Sequence, residues 1–126
     1  MGLYDHIAGL EIANGLCTWD RDRTMLYAVG VGAGLQDNLD ELQFTTENTP
    51  GVAQQVIPGF LTTLHVEGDW IEPLGWGGPY EYPVGLVHGE QSVTLARPIP
   101  PEGTARLVRR FAGVYDKGSG ALVAWP

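Results

Sequence analysis

From residue 92 onward, apolar and polar positions alternate in short runs separated by marked turns. Ser92–Arg97 puts Val93 and Leu95 on one face, the period-two signature of a half-buried strand. Pro98-Ile-Pro-Pro-Glu-Gly103 reads as a turn of fixed φ angles ending in a flexible glycine. Thr104–Tyr115 reads as a longer strand, Asp116-Lys-Gly-Ser-Gly120 as a hairpin turn, and Ala121–Trp125 as the returning strand.

The first two thirds of the chain carry a different pattern. In residues 1–19, Tyr4, Ile7, Leu10 and Ile12 suit a short helix or an irregular packing segment that Gly15 stops, followed by a short strand at Leu16–Trp19. Asp20 is placed to cap a helix, because its carboxylate can accept from the free amides of the first turn. Asp22 adds negative charge where the helix dipole favours it. Met25, Leu26, Tyr27 and Val29 supply its apolar positions, and the glycines of Gly30-Val-Gly32-Ala-Gly34 end it. Leu42 and Phe44 suggest a short strand over 41–46. Pro58 fits the first turn of a helix over about 58–66, with Phe60, Leu61 and Leu64 turned to a core. Trp70, Trp76, Tyr80 and Tyr82, set among prolines and glycines, form an irregular loop over 68–85 whose aromatics pack on the core rim, a partner or an apolar ligand.

One or two short helices, a loop and then consecutive antiparallel strands predict an α+β fold, a helix packed on one face of an antiparallel sheet. At 126 residues the chain reads as a single domain, 1–126, long enough to bury a core without disulfides. Its lone cysteine, Cys17, rules out an intrachain disulfide and reads as a small buried residue. His6, His65 and His88 lie far apart in sequence and do not have zinc spacing. No apolar run has membrane-spanning length, so no membrane partner and a cytoplasmic location are the expectations.

The net charge of −8 argues against nucleic acid as a partner. That charge is uneven. Residues 1–96 carry thirteen acids against two basic residues, whereas 97–126 carry five basic residues (Arg97, Arg106, Arg109, Arg110, Lys117) against two acids. The basic group is either a set of solvated strand-edge charges or a local patch for a phosphate-bearing ligand.

Few motifs carry chemistry. Gly30-x-Gly32-x-Gly34 follows a helix instead of opening one and lacks the spacing of a dinucleotide fingerprint. The only serines, Ser92 and Ser119, lie in no nucleophile elbow. His88-Gly-Glu90 would put a histidine and a carboxylate on one face of a strand, an arrangement open to acid–base work or to a hydrogen-bonded cluster at the strand entry. Lys117 reads as turn chemistry, with a phosphate contact as the alternative.

Five segments in one order resemble a known family: Asp20–Gly34, Val56-Ile-Pro-Gly-Phe60, Leu86-Val-His-Gly-Glu-Gln91, Arg97–Gly103 and Val114–Val123. Together they look like the N-terminal, non-catalytic half of the MaoC-like (hydratase 2) 2-enoyl-CoA hydratases. The resemblance implies a hot-dog fold, a central helix wrapped by a curved antiparallel sheet. It implies hydration of a trans-2-enoyl-CoA to an (R)-3-hydroxyacyl-CoA by a unit of two such halves, with no cofactor and no metal. A base activates the water and amide donors stabilise the developing enolate oxygen.

In the family, the catalytic Asp and His belong to a Gly-Asp-x-Asn-Pro-x-His motif after the first helix of the catalytic half. Here that place reads Gly32-Ala-Gly-Leu-Gln-Asp-Asn38, without Asn-Pro or histidine, so no catalytic residue is assigned. Hot-dog halves continue with at least one further strand beyond the position of Pro126. The resemblance thus implies a sheet incomplete at the C-terminus, and a fragment, a subunit with a catalytic hot-dog partner, or a homo-oligomer.

The leading expectation is the substrate-enclosing half of the hydratase, with an acyl-CoA thioester as ligand. Phe60, Leu64, Trp70, Trp76 and Tyr80 are the expected apolar contacts, and His88 and Glu90 the polar ones. The alternatives are a non-enzymatic acyl-CoA-binding or assembly module, and an enzyme that uses His88 and Glu90 directly.

Overall fold

The structure, a computed structural model, describes residues 8–66 and 88–124. The chain divides into two compact units. The first contains residues 1–16, 65–89 and 106–126, and the second residues 17–64 and 90–105. Strands β1 (Glu11–Trp19) and β2 (Gly103–Arg110) are hydrogen-bonded neighbours, as are β3 (Gly113–Asp116) and β4 (Ala121–Ala124). The helices are α1 (Arg21–Gly30), the single-turn α2 (Leu42–Thr45) and a 3₁₀ helix at Pro58–Thr63. The result is α+β, with antiparallel strand pairs and one principal helix.

In the first unit, β3 and β4 pair antiparallel, with Gly113 opposite Ala124 and Asp116 opposite Ala121. The turn between them forms as the sequence predicts. Gly118 adopts φ 80°, its amide donates to Asp116 Oδ1 at 2.7 Å, and Lys117 N donates to Gly120 O at 2.8 Å. The single long strand expected over 104–115 is instead two. Phe111 N donates to Leu10 O at 3.0 Å, while the next amide, Ala112 N, donates to Ala124 O at 2.7 Å. The chain thus changes partners between two consecutive peptide groups, with the Phe111 side chain buried at the switch.

The strand expected at Leu16–Trp19 begins earlier, as the nine-residue β1, which takes in Ile12 and Gly15 of the segment read as a short helix or irregular packing; Tyr4 and Ile7 lie outside the described residues. Gly15 does not end the strand. A Cβ at Gly15 would lie 2.5 Å from Val66 Cγ1, so glycine here serves close approach instead of termination. Polar strand positions find partners across the pair: Arg110 Nη2 bonds Glu11 Oε2 and Arg106 Nη1 donates to Asn14 Oδ1, each at 2.8 Å. Two of the five basic residues of the C-terminal part are therefore used in strand pairing.

In the second unit, α1 begins as expected, with Asp20 Oδ1 accepting from Arg23 N at 2.8 Å. It ends in a Schellman arrangement: Gly32 at φ 103°, Gly32 N to Val29 O at 3.1 Å and Ala33 N to Ala28 O at 2.9 Å. The buried face is not the expected one. Thr24 and Ala28 are buried, whereas Leu26 and Val29 are exposed. Small side chains one turn apart let neighbouring segments approach the helix on that side.

Two further expectations are corrected. Residues 42–45 form a helical turn, not a strand. Thr45 and Thr46 direct their hydroxyls to the carbonyls of Glu41 and Leu42, local bonds that compete with strand pairing. The helix expected over 58–66 is a 3₁₀ helix that stops at Thr63. In addition, residues 88–95 have no regular secondary structure, so the strand expected at Ser92–Arg97 does not form there.

Candidate functional site

The N-terminal turn of α1 is the most heavily tied part of the second unit. Thr24, 2% exposed, donates its hydroxyl proton to Arg21 O at 2.8 Å, with Pro101 O at 3.4 Å as a second acceptor. Gln54 reaches in from the extended segment after Pro50. Its Nε2 donates to Arg21 O (3.2 Å) and Thr24 Oγ1 (3.1 Å), and its Oε1 accepts from Arg21 Nη1 (3.2 Å). Arg21 Nη2 also pairs with Glu102 at 3.2 Å on the exposed rim. Pro98, Pro100 and Pro101 have no amide hydrogens, so this segment is poor in backbone donors and rich in free carbonyls. Donors come to it: Thr24 to Pro101 O, and Trp19 Nε1 to Pro100 O at 2.9 Å.

Beside this node lies an aromatic cluster. Phe60 is 0% exposed, with its ring edge-on to Trp19 (centroids 6.2 Å apart) and to Tyr27 (5.9 Å). Arg23 Cζ stands 5.9 Å from the centre of the Phe60 ring, and Arg23 Nη2 donates to Thr63 O at 3.0 Å. The guanidinium thus spans the 3₁₀ helix and holds Phe60 in place. A Cβ at Gly59 would collide with the Tyr27 hydroxyl, so a side chain there would have to displace the Tyr27 ring. Leu64 is buried just beyond. This cluster is a buried aromatic wall with no exposed face at Phe60.

After α1, the loop lined by Gly32, Gly34, Gln36, Asp37, Asp40 and Glu41 encloses an open concavity of about 430 Å³. Two of its carboxylates hold the loop itself: Glu41 Oε2 accepts from Gly34 N (3.0 Å) and Asp37 Oδ1 from Leu39 N (2.8 Å). Glu41 adopts φ 60°, a left-handed conformation uncommon outside glycine and asparagine. Among the described residues, no histidine lines the concavity. Three acids repel phosphate-bearing ligands, and among the described residues none of these groups stands beside an imidazole that it could orient.

The expected site residues fall into three groups. Phe60 and Leu64 are buried together in the second unit. His88 and Glu90 are both exposed on irregular backbone, without a hydrogen bond or ion pair among the described residues. The strand that would have set them on one face is absent at 88–95. Trp70, Trp76 and Tyr80 lie outside the described residues. Among the described residues, no helix is long and apolar enough to cross a membrane, and no group of three or more His, Cys, Asp or Glu side chains is placed to hold a metal.

The sequence model of the MFE-2 hydratase 2 N-terminal domain matches residues 18–125. The chain belongs to this family. It is 40% identical over 101 residues to 3-hydroxyacyl-thioester dehydratase Y of Mycobacterium tuberculosis, covering 80% of this chain and 32% of that protein. It is 31% identical over 110 residues to enoyl-CoA hydratase ChsH3 of the same organism, covering 84% of this chain and 36% of that one. It is also 32% identical over 108 residues to the peroxisomal enoyl-CoA hydratase 2 of Arabidopsis thaliana, covering 84% and 35%. The chain spans about a third of the length of these curated relatives.

As a hydratase 2 N-terminal domain, the chain devotes to architecture several residues that its sequence pattern did not single out. Gln54, Arg21 and Thr24 are the main ones. A threonine one turn ahead of an alanine, Thr24 and Ala28, on a helix with few strongly apolar positions, was the available signal for the buried face. Nothing local marks Gln54, whose partners lie 30 and 33 residues away.

Proposed function

We propose that this chain is the substrate-enclosing half or subunit of a 2-enoyl-CoA hydratase, built on the hot-dog fold of its family. In that reaction the water oxygen bonds to C3 of a trans-2-enoyl-CoA and a proton is delivered to C2, giving the (R)-3-hydroxyacyl-CoA. Negative charge gathers on the thioester oxygen on the way, so the unit must supply a base and fixed donors. The observation that carries the reading is the loop after α1. It stands where the resemblance puts the catalytic half's acid–base motif, and here two of its carboxylates are bound to its own backbone, with no histidine beside them among the described residues.

The chemistry therefore belongs to a catalytic hot-dog half, in the same chain or another, and this half contributes enclosure. Phe60 and Leu64 back the acyl site, Trp70, Trp76 and Tyr80 contact the acyl chain, and His88 and Glu90 serve the polar end. Exposed apolar side chains at Leu26, Val29 and Leu35 suit a surface covered in such an assembly. Hydration of crotonyl-CoA and longer enoyl-CoAs by residues 1–126 alone tests the proposal. We expect no turnover alone, and turnover once a catalytic half is supplied. Robust turnover by the chain alone overturns it. Heat on acyl-CoA titration of the assembly, without hydration, replaces the hydratase reading with that of a binding module.

A further inference from the structure

We draw no further inference here: the strongest candidate, the exposed apolar side chains of the later turns of α1 and the loop after it (Leu26, Val29, Val31, Leu35 and Leu39), carries nothing beyond the association already proposed, because nothing in the structure shows what covers it.

Discussion

The two ends of α1 are built on opposite plans. At its start, side chains fix the helix: Asp20 caps it, Thr24 is buried, and Arg21 and Gln54 tie it to neighbouring segments. Toward its end, Ala28 and Tyr27 pack inward, but the terminus is closed by glycine geometry and the other side is open, with Leu26 73% and, past the helix, Leu35 84% exposed. One helix thus combines a stability-bearing terminus with a terminus that contributes little to the stability of the chain on its own. Fixed and uncovered surfaces lie within a few turns of each other, and mutations can tell them apart.

The sharpest test of the anchored side is Phe60→Ala. Removing a fully buried ring with two aromatic neighbours should cost about 3–5 kcal/mol, read from urea unfolding of the chain. A loss below about 1 kcal/mol would mean that the cluster does not anchor the helix.

Gln54→Leu should cost about 1–3 kcal/mol, since it leaves Thr24 and the Arg21 carbonyl short of partners. Combined with Thr24→Val it should depart from additivity by at least about 0.5 kcal/mol. Strict additivity would break the node into independent contacts. Asp20→Ala should cost about 1 kcal/mol through the lost cap, read as a lower denaturation midpoint at unchanged slope.

At the other end, Leu26→Ser and Leu35→Ser should each move the stability of the isolated chain by no more than about 0.5 kcal/mol. The same variants should weaken association with a catalytic half, measured by titration calorimetry. Destabilisation of the isolated chain as large as that of Asp20→Ala would erase the contrast.

What was legible in the sequence divides along the same line as local and distant interactions. The Asp20 cap, the glycine stop after α1 and the hairpin at 116–120 all depend on residues within a few positions of one another, and all formed. Two of the failures depended on partners far along the chain, and a third on a local competition. Gly15 looks like a terminator until Val66 is beside it. Thr104–Tyr115 reads as one strand because nothing in its alternation reveals two pairing partners. The Leu42 segment has strand-like apolar residues, but threonine hydroxyls bonding one turn back decide otherwise.

For the site, the family was legible from motif order, and residues 18–125 bear it out. The burial of Phe60 and Leu64 was legible as well. The arrangement of His88 and Glu90 was not, because it assumed a strand that 88–95 does not form.

The partner switch at Phe111 and Ala112 has a consequence for how this domain can change length. Successive amides of an extended chain point to opposite edges, so one donor reaches Leu10 and the next reaches Ala124 only in a single count of residues. An insertion or deletion of one residue between Arg110 and Gly113 would exchange those donors and turn the buried Phe111 ring, or its replacement, to the opposite face. The exposed loop after α1 is not exempt, because the amides of Gly34 and Leu39 are held by Glu41 and Asp37. Along this chain, tolerance to insertion is therefore set by which amides have a fixed partner rather than by how exposed the sequence looks.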